Sequence, residues 1–223
     1  MVAGNCIEKF FRRKKVFLPV IHPISRQHAL RALVAAREGD ADGVFLINQG
    51  MSTDKTLLLL EDFLVNADFW VGVNILGTDA QALVTKLFDN FAPPGIWSDR
   101  ADPLTDRRGW SGLYFGGVSF KYQSEVRPED EEREIRRARA HGVDVVTTSG
   151  PGTGEPADLD KVRRMKEILG DEPLAIASGI TPDNVRQYVP HVDVFLVATG
   201  VEQEFGVFDP DKLRRVADAI HEA

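Results

Sequence analysis

The sequence predicts an α/β protein that folds as a single closed (β/α)8 barrel. Eight short apolar stretches alternate with helical patterns over the 223 residues, which is the element count of such a barrel. Each stretch is apolar along most of its length, as expected for parallel strands that are covered on both faces. No G-x-G-x-x-G motif follows the first stretch, which disfavours the rival architecture, an open doubly wound sheet.

The first half of the predicted barrel follows a short leading segment. Residues 1–15 are expected to form an N-terminal helical extension that covers the bottom of a barrel spanning residues 16–223. A membrane-surface or partner helix is the less favoured alternative, because the segment is too short to anchor firmly. Thr78 and Gln81 have the spacing of a capping box. The predicted strands are 16–21, 43–48, 70–76 and 95–99, and the predicted helices are 26–38, 56–65 and one that begins at residue 78.

The second half repeats the same alternation. Residues 100–112 lack an apolar stripe, so we expect the fourth helix to be short or replaced by a loop. Asp209 has the position of an N-cap for the last helix, and Pro210 that of its first residue. The predicted strands are 113–120, 143–149, 173–178 and 192–199, and the predicted helices are 129–140, 159–169, 181–188 and one that begins at residue 210.

Composition narrows the classes of protein that fit the chain. Hydrophobic residues make up 43% and charged residues 27% of the sequence, an ordinary globular mixture. The net charge of −7 disfavours nucleic acid or an anionic membrane as the main partner. Cys6 is the only cysteine, which excludes an intrachain disulfide and favours a reducing, cytoplasmic setting. We expect neither a signal peptide nor a membrane span, because no apolar run reaches about 18 residues. No cofactor is predicted, and a homo-oligomer is left open.

Two small-residue turns near the C-terminus predict a phosphate site. Each turn follows an apolar strand and precedes a predicted helix, and glycine lets the backbone approach a ligand closely. A helix start points free N–H groups and a positive dipole end toward the same place, so two adjacent turns of this kind form a cup for an anion. The residues predicted to form this phosphate cup are Gly179, Ile180, Thr199, Gly200 and Val201.

The same stretch resembles known phosphate-binding barrels. SGITPDNV (178–185), ATGVE (198–202) and GVFDPDK (206–212) are similar to the end of barrels such as phosphoribosylanthranilate isomerase. Over residues 70–213 the chain resembles the BtpA family more closely, through GVNILGTDA (72–80), FGGVSFK (115–121) and DVVTTSGPGTGEPADL (144–159). The resemblance implies a (β/α)8 (TIM) barrel with a phosphate cup. The isomerase has a cysteine acid at the end of strand one, where this chain has His22-Pro23, so that particular reaction is not predicted.

Polar residues at the strand ends mark the predicted mouth of the barrel, where barrel enzymes place their active sites. Three of them are the candidate catalytic residues. Lys121 is expected either to hold an anion, to act as a base or Schiff-base nucleophile, or to reach solvent past the rim. Asp99 is a candidate base or metal ligand, with a salt bridge as the alternative; a lone carboxylate is a weak metal signal, so no metal site is predicted. His22 is a candidate acid or base, with a satisfied structural histidine as the alternative.

The remaining polar strand ends are predicted to bind the substrate. Asparagine and hydroxyl side chains suit recognition of a base or a sugar, although capping of the barrel rim is an equal alternative for the asparagines. The glycine-rich loop 150–154 could close over a ligand, but it is not a Walker A loop because no Gly-Lys-Ser/Thr follows. The predicted substrate-binding residues are Asn48, Asn74, Thr148, Ser149, Gly152, Thr153, Gly154 and Ser178.

Two functions fit these observations. The first is an enzyme that acts on a phosphorylated small molecule such as a sugar phosphate, a ribose phosphate or a nucleotide, by isomerisation, by lyase chemistry or by glycosyl or phosphoribosyl transfer. The second is a non-catalytic assembly factor or ligand-sensing scaffold, toward which the BtpA resemblance points. Stabilisation by phosphate esters is expected of the first and not of the second.

Overall fold

The strands form one closed parallel barrel. A computed structural model of the protein describes residues 6–88, 91–123 and 126–223. Each strand pairs with the next along the chain, and the eighth pairs with the first, through Val16 with Val194 and Phe17 with Phe195. The predicted barrel is therefore confirmed. The strands are β1 Val16–Ile21, β2 Gly43–Ile47, β3 Trp70–Asn74, β4 Gly95–Ser98, β5 Leu113–Gly117, β6 Val145–Ser149, β7 Leu174–Ala177 and β8 Val194–Val197.

Helices surround the barrel, and β4 connects to β5 without one, as predicted. A small antiparallel hairpin, β9 Glu202–Glu204 and β10 Val207–Phe208, follows β8. None of the helices in the described residues has both the length and the apolar character needed to cross a bilayer. The helices are α1 Cys6–Phe11, α2 Arg26–Glu38, α3 Thr53–Asn66, α4 Ala80–Phe88, α5 Glu131–Ala140, α6 Leu159–Leu169, α7 Val185–Tyr188 and α8 Pro210–His221.

Alternate residues of each strand enter two different apolar layers. In β6, Val145 belongs to the cluster inside the barrel, whereas Val146 belongs to the cluster between the barrel and the helices. This follows from the two-residue period of a strand, even though every position is buried. At the bottom of the barrel, Ile7 of α1 is fully buried in the inner cluster, and Phe11 contacts Trp70 with ring centroids 5.0 Å apart.

Two local predictions differ from the structure. The capping box at α4 does not form. Asp79 instead accepts a hydrogen bond from the Ala82 amide (2.7 Å), while Gln81 binds the backbone of Thr105 and Asp106 in the β4–β5 loop. The long loop that replaces a helix offers Gln81 these distant partners. The predicted helix 181–188 is shorter than expected, because α7 begins only at Val185.

Candidate functional site

Lys121 lies in the loop that follows β5, at the mouth of the barrel. Its amide donates to Ser149 Oγ (2.7 Å), which ties the loop to the end of β6. Its Nζ donates to Ser178 Oγ at 3.1 Å and reaches Thr153 Oγ1 at 3.5 Å. The amine also lies 5.7 Å from the centroid of the Phe120 ring. Three loops, those after β5, β6 and β7, therefore meet at this one amine.

The backbone around Lys121 adopts conformations that side chains rarely allow. Ser119 (φ 50°), Tyr122 (φ 59°) and Ser178 (φ 70°) all lie in the left-handed region. Such residues cost on the order of 1–3 kcal/mol each and persist where the surroundings fix them. Lys161 of α6 supplies part of that support, since its Nζ donates to Ser119 O (3.1 Å) and to Ser149 O (2.6 Å). Lys121 is thus held in place by a partly strained and well-anchored loop.

Asp99 and Lys121 have pKa values that shift toward each other. Burial raises the pKa of Asp99, while the hydrogen bond from Asn74 Nδ2 (2.9 Å) and the charge of Lys121 lower it. Burial lowers the pKa of Lys121, while the charges of Asp99 and Tyr122 raise it. Burial therefore disfavours the charged form of both groups and brings the pKa values of this acid and this amine closer together.

The two glycine turns after β7 and β8 pack directly against each other. A Cβ atom on Gly200 would lie 1.7 Å from Ile180 O, so only glycine fits there. Gly179 (φ 69°) packs closely against the loop after β6, since a Cβ there would be 2.3 Å from the backbone nitrogen of Pro156. A Cβ on Gly154 would have Thr199 Oγ1 as its nearest neighbour, at 3.7 Å. The backbones of three loops therefore come together beside Ser178 and Thr199, as a cup would require.

Part of the predicted cup is used within the protein. The Val201 amide donates to Ala198 O (2.9 Å), because residues Thr199–Val201 form a single 3-10 turn. The prediction that this amide binds phosphate conflicts with that hydrogen bond. The amide of Thr181 donates to Asn184 Oδ1 (2.8 Å), and Asn184 Nδ2 donates to Gly179 O (2.7 Å). The sequence analysis did not predict this role of Asn184. Asparagine side chains commonly accept a hydrogen bond from a backbone amide a few residues away in a turn, as Asn184 does here from Thr181.

At the end of β1, His22 is enclosed by protein. His22 Nδ1 lies 3.2 Å from Glu202 Oε1, and both residues are buried. Phe205, at the tip of the β9–β10 hairpin, stacks on the imidazole with centroids 5.1 Å apart and planes at 18°. Neither Glu202 nor Phe205 was predicted from the sequence. The structure thus favours the structural alternative for His22 over the catalytic one.

At the end of β2, Asn48 holds two loops. Its Nδ2 donates to Thr53 Oγ1 (3.0 Å), and its Oδ1 accepts from the Leu76 amide (2.7 Å). Asn48 follows Ile47, which belongs to the inner cluster, so the alternation directs the asparagine toward the helices. These contacts are those of rim capping, the alternative to substrate binding.

On β6, Thr148 and Ser149 have different surroundings. Thr148 lies on the helix-facing side of the strand, like Val146, and donates to Ser119 O (3.2 Å). Because Thr148 is fully buried on that side, the structure favours a structural role for it over the predicted contact with substrate. Ser149 lies on the inner side and donates to Gly150 O (2.8 Å) while accepting from the Lys121 amide. Ser149 therefore positions the lysine loop.

The glycine-rich loop after β6 contacts the lysine loop through Tyr122. The Tyr122 hydroxyl donates to Thr153 Oγ1 (3.1 Å) and accepts from the Thr153 amide (3.1 Å). The carboxylate of Glu155 folds back beside Gly152. Tyr122 is 78% exposed, and nothing in the sequence marks it except its place next to Lys121. It joins the two loops on the solvent side of the amine.

Two cavities adjoin the candidate residues. Lys121 lines one of about 620 Å³ between the β5–α5 and β6–α6 loops, together with Glu131, Lys161 and Arg164. Asn74 and Asp99 line another of about 400 Å³. A groove of similar size, about 630 Å³, lies between α2 and α3 and is lined by none of the candidate residues. Within the described ranges, no three His, Cys, Asp or Glu residues converge to hold a metal ion.

Comparison with known sequences connects the second half of the barrel to one enzyme family. The model of the N-(5′-phosphoribosyl)anthranilate isomerase family matches residues 118–219. A relative of that name from Methanopyrus kandleri is 38% identical over 73 residues, which cover 32% of this chain and 33% of the relative. One from Haloferax volcanii is 36% identical over 108 residues, which cover 44% of this chain and 48% of the relative. The chain thus matches between a third and a half of the length of these relatives.

Comparison with solved structures covers the whole barrel. (S)-3-O-geranylgeranylglyceryl phosphate synthase from Thermoplasma acidophilum, in complex with its substrate sn-glycerol-1-phosphate, superposes with a TM-score of 0.69 and 16% identity over 100% of both chains. N-(5′-phosphoribosyl)anthranilate isomerase from Pyrococcus furiosus gives a TM-score of 0.67 and 16% identity over 93% of this chain and 100% of that chain. At these identities the likeness establishes the fold alone. The finer resemblance to the BtpA family stays a prediction.

Proposed function

We propose that the protein is an enzyme acting on a phosphorylated small molecule. Its phosphate would lie at the two glycine turns after β7 and β8, and its reacting part beside Lys121 and Asp99. The observation that carries this proposal is the 3.1 Å contact between Lys121 Nζ and Ser178 Oγ, because Ser178 is the first residue of the β7 turn. One contact thereby links the amine to the cup.

The comparisons support the same proposal. The family match at residues 118–219 includes Lys121, both glycine turns and the glycine-rich loop. The matched relatives are named for a phosphoribosyl compound, and the barrel resembles one that holds sn-glycerol-1-phosphate. A sugar phosphate, a ribose phosphate or a nucleotide is therefore the proposed class of ligand.

The proposed reaction differs from that of the matched relatives. The resemblance places a cysteine acid at the end of strand one, and here His22 stands there, paired with Glu202 and covered by Phe205. We assign acid–base roles to Lys121 and Asp99, with Asn74 orienting the carboxyl group through its 2.9 Å hydrogen bond. Isomerisation, lyase chemistry and phosphoribosyl transfer all remain compatible with this pair.

A matched pair of variants at Gly154 tests where the phosphate lies. Asparagine and aspartate have nearly the same size, and both tolerate the left-handed backbone of this position (φ 79°) better than other side chains. Only aspartate adds a negative charge, and it does so next to Thr199. We expect inorganic phosphate and ribose 5-phosphate to stabilise the wild type and Gly154→Asn in thermal-shift titrations. Gly154→Asp should bind at least about tenfold more weakly, as expected for a like charge at close range.

Two results would contradict the proposal. Equal phosphate affinity of the two Gly154 variants would place the anion away from the cup. No stabilisation of the wild type by any phosphate ester would count against a phosphorylated ligand altogether and would favour the non-catalytic scaffold.

A further inference from the structure

We infer that Lys121 reacts as a free amine with the carbonyl group of a phosphorylated aldehyde or ketone and forms an imine, while the phosphate of the same molecule lies in the cup. This inference rests on the proposed function. It narrows the proposed substrates to phosphorylated carbonyl compounds and the reaction to those that an imine assists.

A comparison of two lysines supports this inference. Lys121 and Lys161 are both half-buried or more and line the same cavity, and neither forms a salt bridge among the described residues. Their partners differ. Lys161 donates to two backbone carbonyl oxygens, those of Ser119 and Ser149, which can only accept. Lys161 therefore uses two of its N–H groups to hold the loops after β5 and β6.

The partners of Lys121 are two hydroxyl groups, those of Ser178 and Thr153. A hydroxyl can accept from an ammonium group, and after rotation it can donate to the lone pair of a free amine. Lys121 can therefore lose its proton without losing its hydrogen bonds. The charges that act on it are those of Asp99 and Tyr122, which favour the charged form, whereas burial has the larger effect and lowers the pKa. Burial thus enriches the nucleophilic form of this amine relative to an exposed lysine.

The chemical step needs only groups that the protein holds. The lone pair of Lys121 Nζ attacks the carbonyl carbon, and the carbonyl π electrons move to the oxygen, which takes up a proton. The nitrogen of this carbinolamine loses a proton, and the hydroxyl group takes up a proton and leaves as water, so a C=N bond replaces the C=O bond. Ser178 Oγ, 3.1 Å from Nζ, can carry the proton away from the nitrogen. Burial raises the pKa of Asp99, and we assign to its carboxyl group the transfer of a proton to the departing oxygen.

Pyridoxal 5′-phosphate is a suitable probe, because it combines an aldehyde with a phosphate group. The protein is incubated with it, reduced with borohydride, and mapped by mass spectrometry of peptides. We expect preferential modification of Lys121, with each unit by which its pKa is lowered making the free amine about tenfold more abundant than on an exposed lysine. Pyridoxal, which lacks the phosphate, should modify Lys121 more slowly, and inorganic phosphate should compete only with the phosphorylated probe.

Lys121→Arg is the matched variant, since arginine keeps the positive charge but forms no imine under these conditions. It should lose the modification and keep its stabilisation by inorganic phosphate. Lys55→Arg, on the exposed side of α3, should be modified like the wild type.

The outcomes separate the inference from the proposed function. Stabilisation by phosphate without modification of Lys121 would overturn the imine and leave the phosphate site intact. Modification spread over exposed lysines and unchanged in Lys121→Arg would also overturn it. Equal rates with pyridoxal and its phosphate would refute the link between amine and cup, and the absence of both stabilisation and modification would refute both proposals.

Discussion

The two sides of the barrel mouth use polar residues in different ways. At the ends of β1 and β2, His22 pairs with a buried carboxylate, and Asn48 binds a hydroxyl and a backbone amide. At the ends of β5 to β8, backbone segments contact each other at glycines, and the Lys121 amine meets two hydroxyl groups. His22 and Asn48 on the first side hold loops, whereas on the second side we propose that Lys121 exchanges its hydroxyl partners for a ligand.

Sequence similarity to the isomerase family is found on the side of the barrel mouth that contains Lys121. The family match begins at Val118, directly after β5, and extends to residue 219 within α8. The strands β1 to β5 lie outside it, although the whole barrel superposes on solved structures. The half of the chain whose loops meet at Lys121 is therefore the half that resembles the isomerase family.

The largest change in stability is expected from a variant at the contact between the two glycine turns. In Gly200→Ala, the new Cβ would lie 1.7 Å from Ile180 O, which is backbone and cannot rotate away. We expect a loss of at least about 3 kcal/mol in the free energy of unfolding, as for severe overpacking. Urea denaturation followed by circular dichroism measures it. The change should also abolish phosphate binding in whatever fraction remains folded.

Gly77→Ala, at the end of β3, is the control on the other side of the mouth. A Cβ there meets nothing within 4 Å, so only the strain of its positive φ (80°) remains. The expected cost is roughly 1–2 kcal/mol. A similar loss for both variants would show that the glycine turns are not tightly packed in solution.

A smaller effect is expected at the end of β1. Glu202→Leu leaves His22 buried without its 3.2 Å partner, which should cost about 1–3 kcal/mol. Thermal shifts caused by inorganic phosphate should nevertheless equal those of the wild type. A loss of the phosphate effect would mean that the β1 side contributes to the ligand site, and the contrast between the two sides would fail.

Much of the fold follows from the sequence because its signals are local. Apolar stretches, helix caps such as Asp209 and the position of the glycine turns all lie within a few residues of one another. Strand alternation is different. Because apolar residues occupy both faces of the strands, the sequence does not reveal which polar residues face the mouth. Asn48 and Thr148 were both predicted to bind the substrate, although they lie on the helix-facing side.

The site residues that were missed depend on contacts between distant segments. Lys161 supports the lysine loop from α6, and Tyr122 reaches Thr153 in the next loop. Glu202 meets His22 across 180 residues. No periodicity or short motif encodes such pairs. Lys121, Asp99 and Ser178 stand out in the sequence because each follows an apolar strand pattern and carries a charged or polar group. Only the structure reveals that the Lys121 amine contacts two hydroxyl groups.

The smallest effect concerns the ionisation of Lys121. Its pKa is lowered from 10.5 in the folded protein, mainly by burial, and is restored on unfolding. Below the folded pKa both states carry the charge, and folding bears the full cost of burying it. Between the folded pKa and 10.5 only the unfolded state binds the proton, so the stability of the wild type rises with pH through this window. Lys121→Met should therefore be more stable than the wild type near neutral pH, and its advantage should shrink as the pH approaches 10.5.

Urea midpoints measured across this range test the prediction. Tyr122→Phe is the suitable background, because the pKa of the neighbouring phenol is itself lowered, chiefly by its hydrogen bonds with Thr153. Lys121→Arg is the control, since its guanidinium group keeps its proton throughout. The difference in stability between Lys121→Arg and Lys121→Met should therefore not change with pH. A constant difference between Lys121→Met and the wild type would mean that the amine stays charged across the range. Lys121 would then have a purely structural role, like His22 and Asn48 at the ends of β1 and β2. The proposed difference between the two sides of the barrel mouth and the proposed imine would both lose their physical basis.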